Sequence, residues 1–210
     1  MSILTLFIII PVLTVIGILL SKSHMQVKWV SVIGMSLQLL AAIALILLYL
    51  AERRAGNMAE ILFVQDNVWY ETLNIHFFLG VDGVSVAMIG LTALVVFAGI
   101  FASWDIVDLP REFFTSLILL ATGVFGFFIS LDLFTMFLFY ELAVIPMYLL
   151  IGIWGSGPRH YSAMKLTLML MGGSAFILLG IIGIYFNSAP GGGPLTFDLI
   201  RISKESIPTN

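Results

Sequence analysis

The chain has 210 residues, of which 60% are hydrophobic and 10% are charged, and its mean hydropathy is +1.12. A water-soluble domain of this size does not have such a composition, which is typical of a polytopic α-helical protein embedded in the lipid bilayer. The lack of cysteine excludes disulfides, thiolate metal sites and iron–sulfur clusters built from this chain, and a formal net charge of −3 without a basic run argues against nucleic acid as a partner.

Six apolar segments that are long enough to cross a bilayer follow one another along the chain. A membrane-spanning helix needs about 20 predominantly apolar residues. No positively charged stretch precedes the first segment and no small-residue cleavage pattern follows it, so the sequence predicts an uncleaved helix there rather than a signal peptide. The result is an all-α transmembrane region over residues 1–186. Its predicted spans are 3–20, about 27–50, about 80–102, 113–128, 132–154 and about 163–186.

The only long connection between predicted spans covers about 53–80. Within it, two runs rich in apolar and aromatic residues, 68–72 and 75–79, predict a small β-hairpin at the membrane interface. His76 in the second run is a candidate ligand or proton donor. Because no second His, Cys or Glu lies at ligand spacing, an ordinary interface residue is the favoured interpretation.

Polar residues and prolines mark several span ends. Asp82 or Ser85 is predicted to cap the third helix, and Pro110 is well placed for the first turn of the fourth. Only residues 130–132 separate the fourth span from the fifth, so these two helices must be antiparallel neighbours. Residues 187–210 form a polar tail, and the Gly- and Pro-rich stretch 191–194 within it predicts a flexible linker.

The distribution of basic residues predicts the orientation. Lys and Arg in short loops mark the cytoplasmic side of a membrane protein. We therefore expect the short turns to lie in the cytoplasm, and the amino terminus and the hairpin to lie outside the inner membrane of the cell. The residues at short turns or helix ends are Lys22, Lys28, Arg111, Arg159 and Lys165, and those in the two long segments are Arg53, Arg54, Arg201 and Lys204.

One ionisable residue, Glu141, lies deep within a predicted span. It is nine residues from Asp132, or about 13 Å along the helix, which is near the middle of a hydrocarbon core about 30 Å thick. A charged side chain at that depth costs about 2.5–3.5 kcal/mol on insertion, and such residues usually serve transport. Pro146 removes a backbone donor and loosens the helix nearby. We expect Glu141 to carry protons; the alternative is a structural acid bonded to a neighbouring helix.

Two weaker candidates accompany Glu141. Tyr148 shares its helical face and could hydrogen-bond along the same line, although packing is the commoner role for such an aromatic. Lys165 lies about one turn into the predicted sixth span, where its stem can reach the headgroups. A relay role for Lys165 would require that helix to begin later, or a water-filled vestibule. The sequence shows no residue set typical of hydrolytic, phosphate-binding or redox sites.

Residues 140–155 read Tyr-Glu-Leu-Ala-Val-Ile-Pro-Met-Tyr-Leu-Leu-Ile-Gly-Ile-Trp-Gly. This run resembles the fifth-helix motif of chain M of respiratory NADH:quinone oxidoreductase (complex I), which is related to Mrp-type cation/proton antiporters. The shorter runs 79–85, 161–165 and 194–199 are also similar to that chain. The resemblance implies a proton-pumping membrane-arm subunit that packs against other membrane-arm subunits, with Glu141 paired to a lysine on a later helix.

The same resemblance implies that NADH, flavin, iron–sulfur clusters and quinone are bound by other subunits, with no cofactor in this chain. The family's chains are longer and contain two inverted repeats that begin at the fourth helix, so the expectation is an amino-terminal portion of a larger antiporter-like fold. Two alternatives stay open: a subunit of an Mrp-type cation/proton antiporter, and a structural membrane subunit that transports nothing. The run that follows Pro146 favours complex I.

Overall fold

The computed structural model describes residues 3–70, 75–188 and 195–204. Within them, six helices are long and apolar enough to cross a membrane. The expectation of an all-α, polytopic fold with six spans is thus confirmed. In chain order the elements are α1 (Ile3–Leu20), α2 (His24–Arg54), β1 (Leu62–Tyr70), β2 (Ile75–Val81), α3 (Gly83–Ala102), α4 (Pro110–Ile129), α5 (Leu133–Trp154), α6 (Arg159–Phe186) and the short α7 (Leu199–Lys204).

Helices α2 and α6 extend beyond their predicted spans at polar ends. Helix α2 begins at His24 instead of near 27, after Ser23, whose hydroxyl accepts a hydrogen bond from the Met25 amide at 3.3 Å. Helix α6 begins at Arg159 instead of near 163. Hydropathy marks only the apolar part of a helix, whereas backbone hydrogen bonding continues until a cap or turn ends it. The predicted caps behave as expected, since Asp82 accepts from the Ser85 amide at 2.8 Å and Pro110 opens α4.

The hairpin is larger than the sequence indicated. Strands β1 and β2 pair antiparallel, with Asp66 opposite Phe78 and Val68 opposite His76. The first strand begins at Leu62, because residues 62–67, which precede the predicted run, also belong to the strand. The predicted turn at Leu73 and Asn74 lies outside the described residues.

Helices α1–α4 enclose the main core together with β2. Phe7 of α1 packs on Phe125 of α4 with ring centroids 5.6 Å apart. Met35 of α2 and Ile89 of α3 are fully buried in the same cluster. Each of these residues lies on one face of its helix, so the four helices bury their apolar stripes against one another.

Helix α5 lies close against α4, as the short turn between them predicts. Two glycines of α4 make this contact possible. A Cβ atom at Gly123 would lie 2.8 Å from the Phe139 carbonyl oxygen and 2.9 Å from the Ala143 Cβ, and a Cβ at Gly126 would overlap the Phe139 ring. Small residues of this kind let two membrane helices approach closely and gain van der Waals contact.

The segment 130–132 is paired on both sides. The Leu131 amide donates to the Phe78 carbonyl of β2 at 2.8 Å, and the Leu131 carbonyl accepts from the Leu199 amide at 3.0 Å. Phe197 is buried and stacks on Tyr185 of α6 with centroids 4.2 Å apart. Residues 195–204, within the predicted tail, therefore pack on α5 and α6; the predicted Gly- and Pro-rich linker falls on residues that are not described.

The helix ends define two sides of the molecule. The hairpin side contains β1, β2 and residues 195–204, and the turn side contains the short connections 21–23, 103–109 and 155–158. On the turn side, the carbonyl ends of α1, α3 and α5 each accept a hydrogen bond from a basic side chain, which complements the negative end of the helix dipole. The three bonds join Arg111 to Ser21, Lys28 to Trp104 at 2.5 Å, and Arg159 to Ile153 at 2.6 Å.

Candidate functional site

Helix α5 holds the candidate carboxylate in its middle. Asp132 caps the helix by accepting a hydrogen bond from the Thr135 amide at 2.9 Å, and the helix then runs without interruption to Trp154. Glu141 is the ninth of its 22 residues, and Pro146 lies inside the helix. The proline cannot donate to the Leu142 carbonyl, so the backbone is weakened one turn beyond Glu141.

Glu141 borders a cavity of about 370 Å³ between α5 and α6. Thr167 and Met171 of α6 form its far wall, and Leu138 and Ile145 lie beside Glu141 on α5. The cavity is large enough to admit several water molecules, each of which occupies about 30 Å³ in the liquid. Glu141 is thus surrounded mainly by apolar groups.

One carboxylate oxygen of Glu141, Oε1, is buried and has no hydrogen-bond partner among the described residues. A buried polar atom without a partner costs about 1–3 kcal/mol or more, unless water or a donor on another segment satisfies it. The side chain as a whole remains partly accessible. A carboxyl group in this position can exchange partners and a proton without breaking an existing bond at that oxygen.

Tyr148 lines the same cavity as Glu141. It lies two helical turns beyond Glu141 on α5, and its side chain is 39% exposed. The structure therefore brings these two predicted site residues to one cavity, with the Tyr148 position toward the turn side.

Lys165 lies elsewhere. It is exposed and borders a separate cavity of about 420 Å³ whose other walls, Tyr161, Met164, Leu168 and Met169, all belong to α6. No ion pair joins it to Glu141. One condition for a relay role of Lys165 was that α6 begins later than predicted. The helix instead begins earlier, at Arg159.

A second cavity, of about 580 Å³, adjoins the Glu141 cavity on the hairpin side. Asn67, Trp69 and Phe77 of the hairpin form one wall, and Thr135 and Phe139 belong to the α5 wall. The two cavities have Leu138 and Leu142 in common. We call these adjoining cavities the α5 furrow; the hairpin-side cavity borders Thr135, and the other borders Glu141 and Tyr148.

Asp132 is a buried acid that sequence reasoning treated only as a helix end. It is fully buried, and besides capping α5 its Oδ2 accepts from the His76 amide at 3.4 Å. Burial raises the pKa of the Asp132 carboxyl, and the hydrogen bonds from Thr135 and His76 offset this effect only in part. The burial arises from residues 195–199 and β2, which are distant in sequence, so no local signal indicated it.

His76 also has an acidic partner that spacing along the chain did not reveal. Its Nδ1 lies 2.6 Å from Asp66 Oδ1, and the side chains are 22% and 53% exposed. The hairpin register places Val68 opposite His76, so Asp66 is a diagonal neighbour on the facing strand. Pairing the two predicted strands before searching for partners would have found this contact.

The part of the chain that contains Glu141 is similar to a known family. The family described as NADH:quinone oxidoreductase/Mrp antiporter, TM, matches residues 130–204. The chain is similar to the chloroplastic NAD(P)H-quinone oxidoreductase chain 4 of Agrostis stolonifera, with 37% identity over 147 residues, and to that of Angiopteris evecta, with 38% identity over 146 residues. Each match covers 69% of this chain and 28% of the relative, so the chain matches only part of the length of these relatives.

Two solved structures share the fold. The chain is similar to one in respiratory complex I from Thermus thermophilus with bound NADH, with a TM-score of 0.77, 22% identity, and coverage of 99% of this chain and 40% of that one. It is also similar to a chain of the membrane-bound sulfane sulfur reductase, an archaeal respiratory membrane complex, with a TM-score of 0.74, 22% identity, and coverage of 97% and 40%.

Proposed function

The chain belongs to the antiporter-like membrane subunits of the NADH:quinone oxidoreductase/Mrp antiporter family, and on that premise we propose that it is a proton-translocating subunit of the membrane arm of an NADH:quinone oxidoreductase. Its partners in this proposal are the other membrane-arm subunits and the lipid bilayer. The NADH, flavin, iron–sulfur and quinone chemistry belongs to other subunits, and this chain contributes a proton carrier.

The observation that supports this proposal best is the buried Oε1 of Glu141, which lies at the middle of a membrane-spanning helix beside the α5–α6 cavity and has no hydrogen-bond partner among the residues that the structure describes. When protonated, the group is neutral and suits an apolar cavity; when ionised, it needs a cation or donors nearby. A change of charge on a neighbouring segment would therefore change which form is favoured. This is how one carboxyl group can take up a proton and later release it.

Tyr148 extends the proposed path toward the turn side. Its hydroxyl can both donate and accept a hydrogen bond, and its side chain borders the cavity that contains Glu141. The proposed path does not include Lys165, because Lys165 borders a separate cavity. We place the turn side in the cytoplasm and the amino terminus and hairpin outside the inner membrane, since the basic side chains of the short connections lie on the turn side.

Glu141→Gln tests the proposal directly. Gln keeps the size of the side chain but cannot ionise, so we expect the complex to assemble and its NADH-driven proton pumping to fall by about tenfold or more. Pumping is measured in sealed membrane vesicles together with NADH oxidation. Glu112→Gln is the matched control, because Glu112 is an exposed acid in the first turn of α4. Normal pumping by an assembled E141Q complex would contradict the proposal and favour a structural role.

An Mrp-type cation/proton antiporter subunit is the second candidate, because the family that matches the chain includes both kinds of protein. The two differ in their driving force. An antiporter exchanges sodium for protons without NADH, whereas the proposed subunit moves protons only while NADH is oxidised. Sodium-driven proton movement in vesicles without NADH, lost in E141Q, would favour the antiporter.

A further inference from the structure

Pro11 lies inside α1, where it interrupts the backbone hydrogen bonding of the helix. In a regular α-helix the amide of residue 11 would donate to the carbonyl oxygen of Phe7. Proline has no N–H group, and its ring pushes that carbonyl away from the helix axis. An unsatisfied carbonyl in the hydrocarbon region is costly, because the bilayer core offers no water to bind it. The Phe7 carbonyl therefore needs a donor from outside α1.

Gln38 of α2 supplies a donor at this point. Its side-chain Nε2 donates to the Phe7 carbonyl oxygen at 3.4 Å, and the residue is 0% exposed. The other polar atom of the side chain, Oε1, is also buried and has no hydrogen-bond partner among the described residues. Burying such an oxygen opposes folding, so packing alone does not explain an amide in this apolar core.

Helices α1 and α2 approach each other closely one helical turn away from Gln38. Gly34 of α2 lies against Thr14 of α1, and a Cβ atom at residue 34 would overlap the Thr14 side chain. The Thr14 hydroxyl donates to the Ile10 carbonyl at 2.7 Å, so its hydrogen bond stays within α1. Gly34 and Gln38 are four residues apart and therefore share one face of α2. The close approach at Gly34 brings the Gln38 amide within reach of the α1 backbone.

We propose that Gln38 replaces the missing amide of Pro11, so that the weak point of α1 is held by a side chain of α2 inside the membrane. This inference is independent of the proposed proton transfer, since neither residue borders a cavity beside α5. It makes a claim that simple packing does not make: the contribution of Gln38 to stability depends on which residue stands at position 11.

A double-mutant cycle on the full chain, measured by thermal unfolding in detergent, tests this proposal. Gln38→Leu keeps a side chain of similar size but removes the donor, and in the parent chain it is expected to lower the melting temperature by about 4 °C or more. In Pro11→Ala, the alanine amide can donate to the Phe7 carbonyl. The same Gln38→Leu change is therefore expected to leave the melting temperature of P11A unchanged or to raise it, because the donor is no longer needed.

Leu45→Ala is the control for the cycle. Leu45 is a fully buried residue of α2, seven residues after Gln38, or about 10 Å along the helix. Its truncation leaves a cavity and is expected to lower the melting temperature equally in the parent and in P11A. Pro11→Ser restores the same amide and takes the place of P11A in the cycle if the alanine variant does not fold.

A Gln38→Leu loss of the same size in the parent and in P11A would overturn the inference, because Gln38 would then act by packing alone. So would a parent chain whose melting temperature Gln38→Leu leaves unchanged. If Gln38→Leu prevents folding of the parent but not of P11A, the inference is supported. If it prevents folding of both, the need for Gln38 is unrelated to Pro11 and the inference fails.

Discussion

Helices α1–α4 and helices α5–α6 differ in how much of their surface the rest of the chain covers. Half of the residues in the apolar window of α4 are buried, compared with 17% in α5 and 11% in α6. The buried share in α1, α2 and α3 is 33%, 28% and 28%, so the first four helices form the better-packed unit, and α5 and α6 leave more of their apolar surface open. The candidate carboxylate lies in the open part, so stability and proposed chemistry are assigned to different regions.

Helix α5 belongs to both regions because its two faces differ. Phe139 and Ala143 press against the glycines of α4, so that side belongs to the packing with α4, and Phe139 also borders the hairpin-side cavity. Leu138, Glu141 and Tyr148 lie along the furrow. A single helix thus connects the rigid unit to the surface where partners of Glu141 can approach. The comparison predicts that substitutions on the two faces, or in the two regions, have different effects.

The largest expected effect on stability comes from the closed contact between α4 and α5. Gly123→Ala places a Cβ atom 2.8 Å from the Phe139 carbonyl oxygen, which is backbone and cannot rotate away. Overpacking of this kind costs about 1–3 kcal/mol of unfolding free energy. The measurement is thermal unfolding of the purified protein in detergent.

Gly180→Ala is the control for that substitution in the open part. No atom of the described residues lies within 4 Å of the position that a Cβ atom at Gly180 of α6 would occupy, so this change is expected to leave the melting temperature unchanged or to raise it slightly. If both alanine variants lose equal stability, the division into a closed and an open region is wrong.

A smaller effect is expected at Asp132, where the hairpin, α5 and residues 195–199 meet. Asp132→Ala removes the cap of α5 and is expected to cost about 1 kcal/mol of unfolding free energy. Asp132→Asn keeps an oxygen for the Thr135 amide and is expected to be nearly as stable as the parent protein. Equal losses in both variants would show that the charge, and not the cap, stabilises the junction.

The two aspartate caps are expected to depend on pH in opposite directions. Burial raises the pKa of Asp132, so the folded protein binds this proton more tightly than the unfolded chain does. The stability of the parent relative to D132N is therefore expected to decline as pH rises through the raised pKa. At Asp82, burial opposes the charge, but hydrogen bonds from Ser85 and nearby amides outweigh it and lower the pKa. The stability of the parent relative to Asp82→Asn should therefore fall as pH falls through that lowered pKa. Melting temperatures of the three proteins between acidic and neutral pH check both signs.

The smallest effect is expected at Lys165. It lies on the open outer surface of α6 and makes no ion pair with Glu141. Lys165→Met should leave the proton-pumping rate unchanged. The free energy of unfolding should stay within about 0.5 kcal/mol of the parent value, as is usual for surface substitutions. A pumping loss comparable to that of E141Q would return Lys165 to the relay.

The apolar helices and their caps could be predicted from sequence because those signals are local. Hydropathy placed α1 at Ile3–Leu20, and Asp82 was recognised as a cap from the residues next to it. The starts of α2 and α6 were missed by several residues because their first turns are polar. Glu141 was found by its depth in a span, but its cavity could not be predicted, since the cavity depends on how α6 lies beside α5.

The contacts that sequence reasoning missed are long-range. Phe197 is buried against Tyr185 although its segment reads as a polar tail, and Asp132 is buried because that segment crosses it. Asp66 and His76 meet only through the hairpin register. Single-sequence patterns describe a helix face or a turn, and they contain no information about which segment returns to cover it.

The basic side chains on the turn side bear on how the protein is made. The carbonyl end of α3 accepts a hydrogen bond from Lys28, which is synthesised earlier. The carbonyl end of α5 accepts one from Arg159 at the start of the next helix. The Ser21 carbonyl at the end of α1 accepts its hydrogen bond from Arg111, which leaves the ribosome some ninety residues later. We therefore expect α1 to remain loosely held during insertion until α4 is in place, so that completion of the fourth helix is the step that commits the nascent chain to its final arrangement.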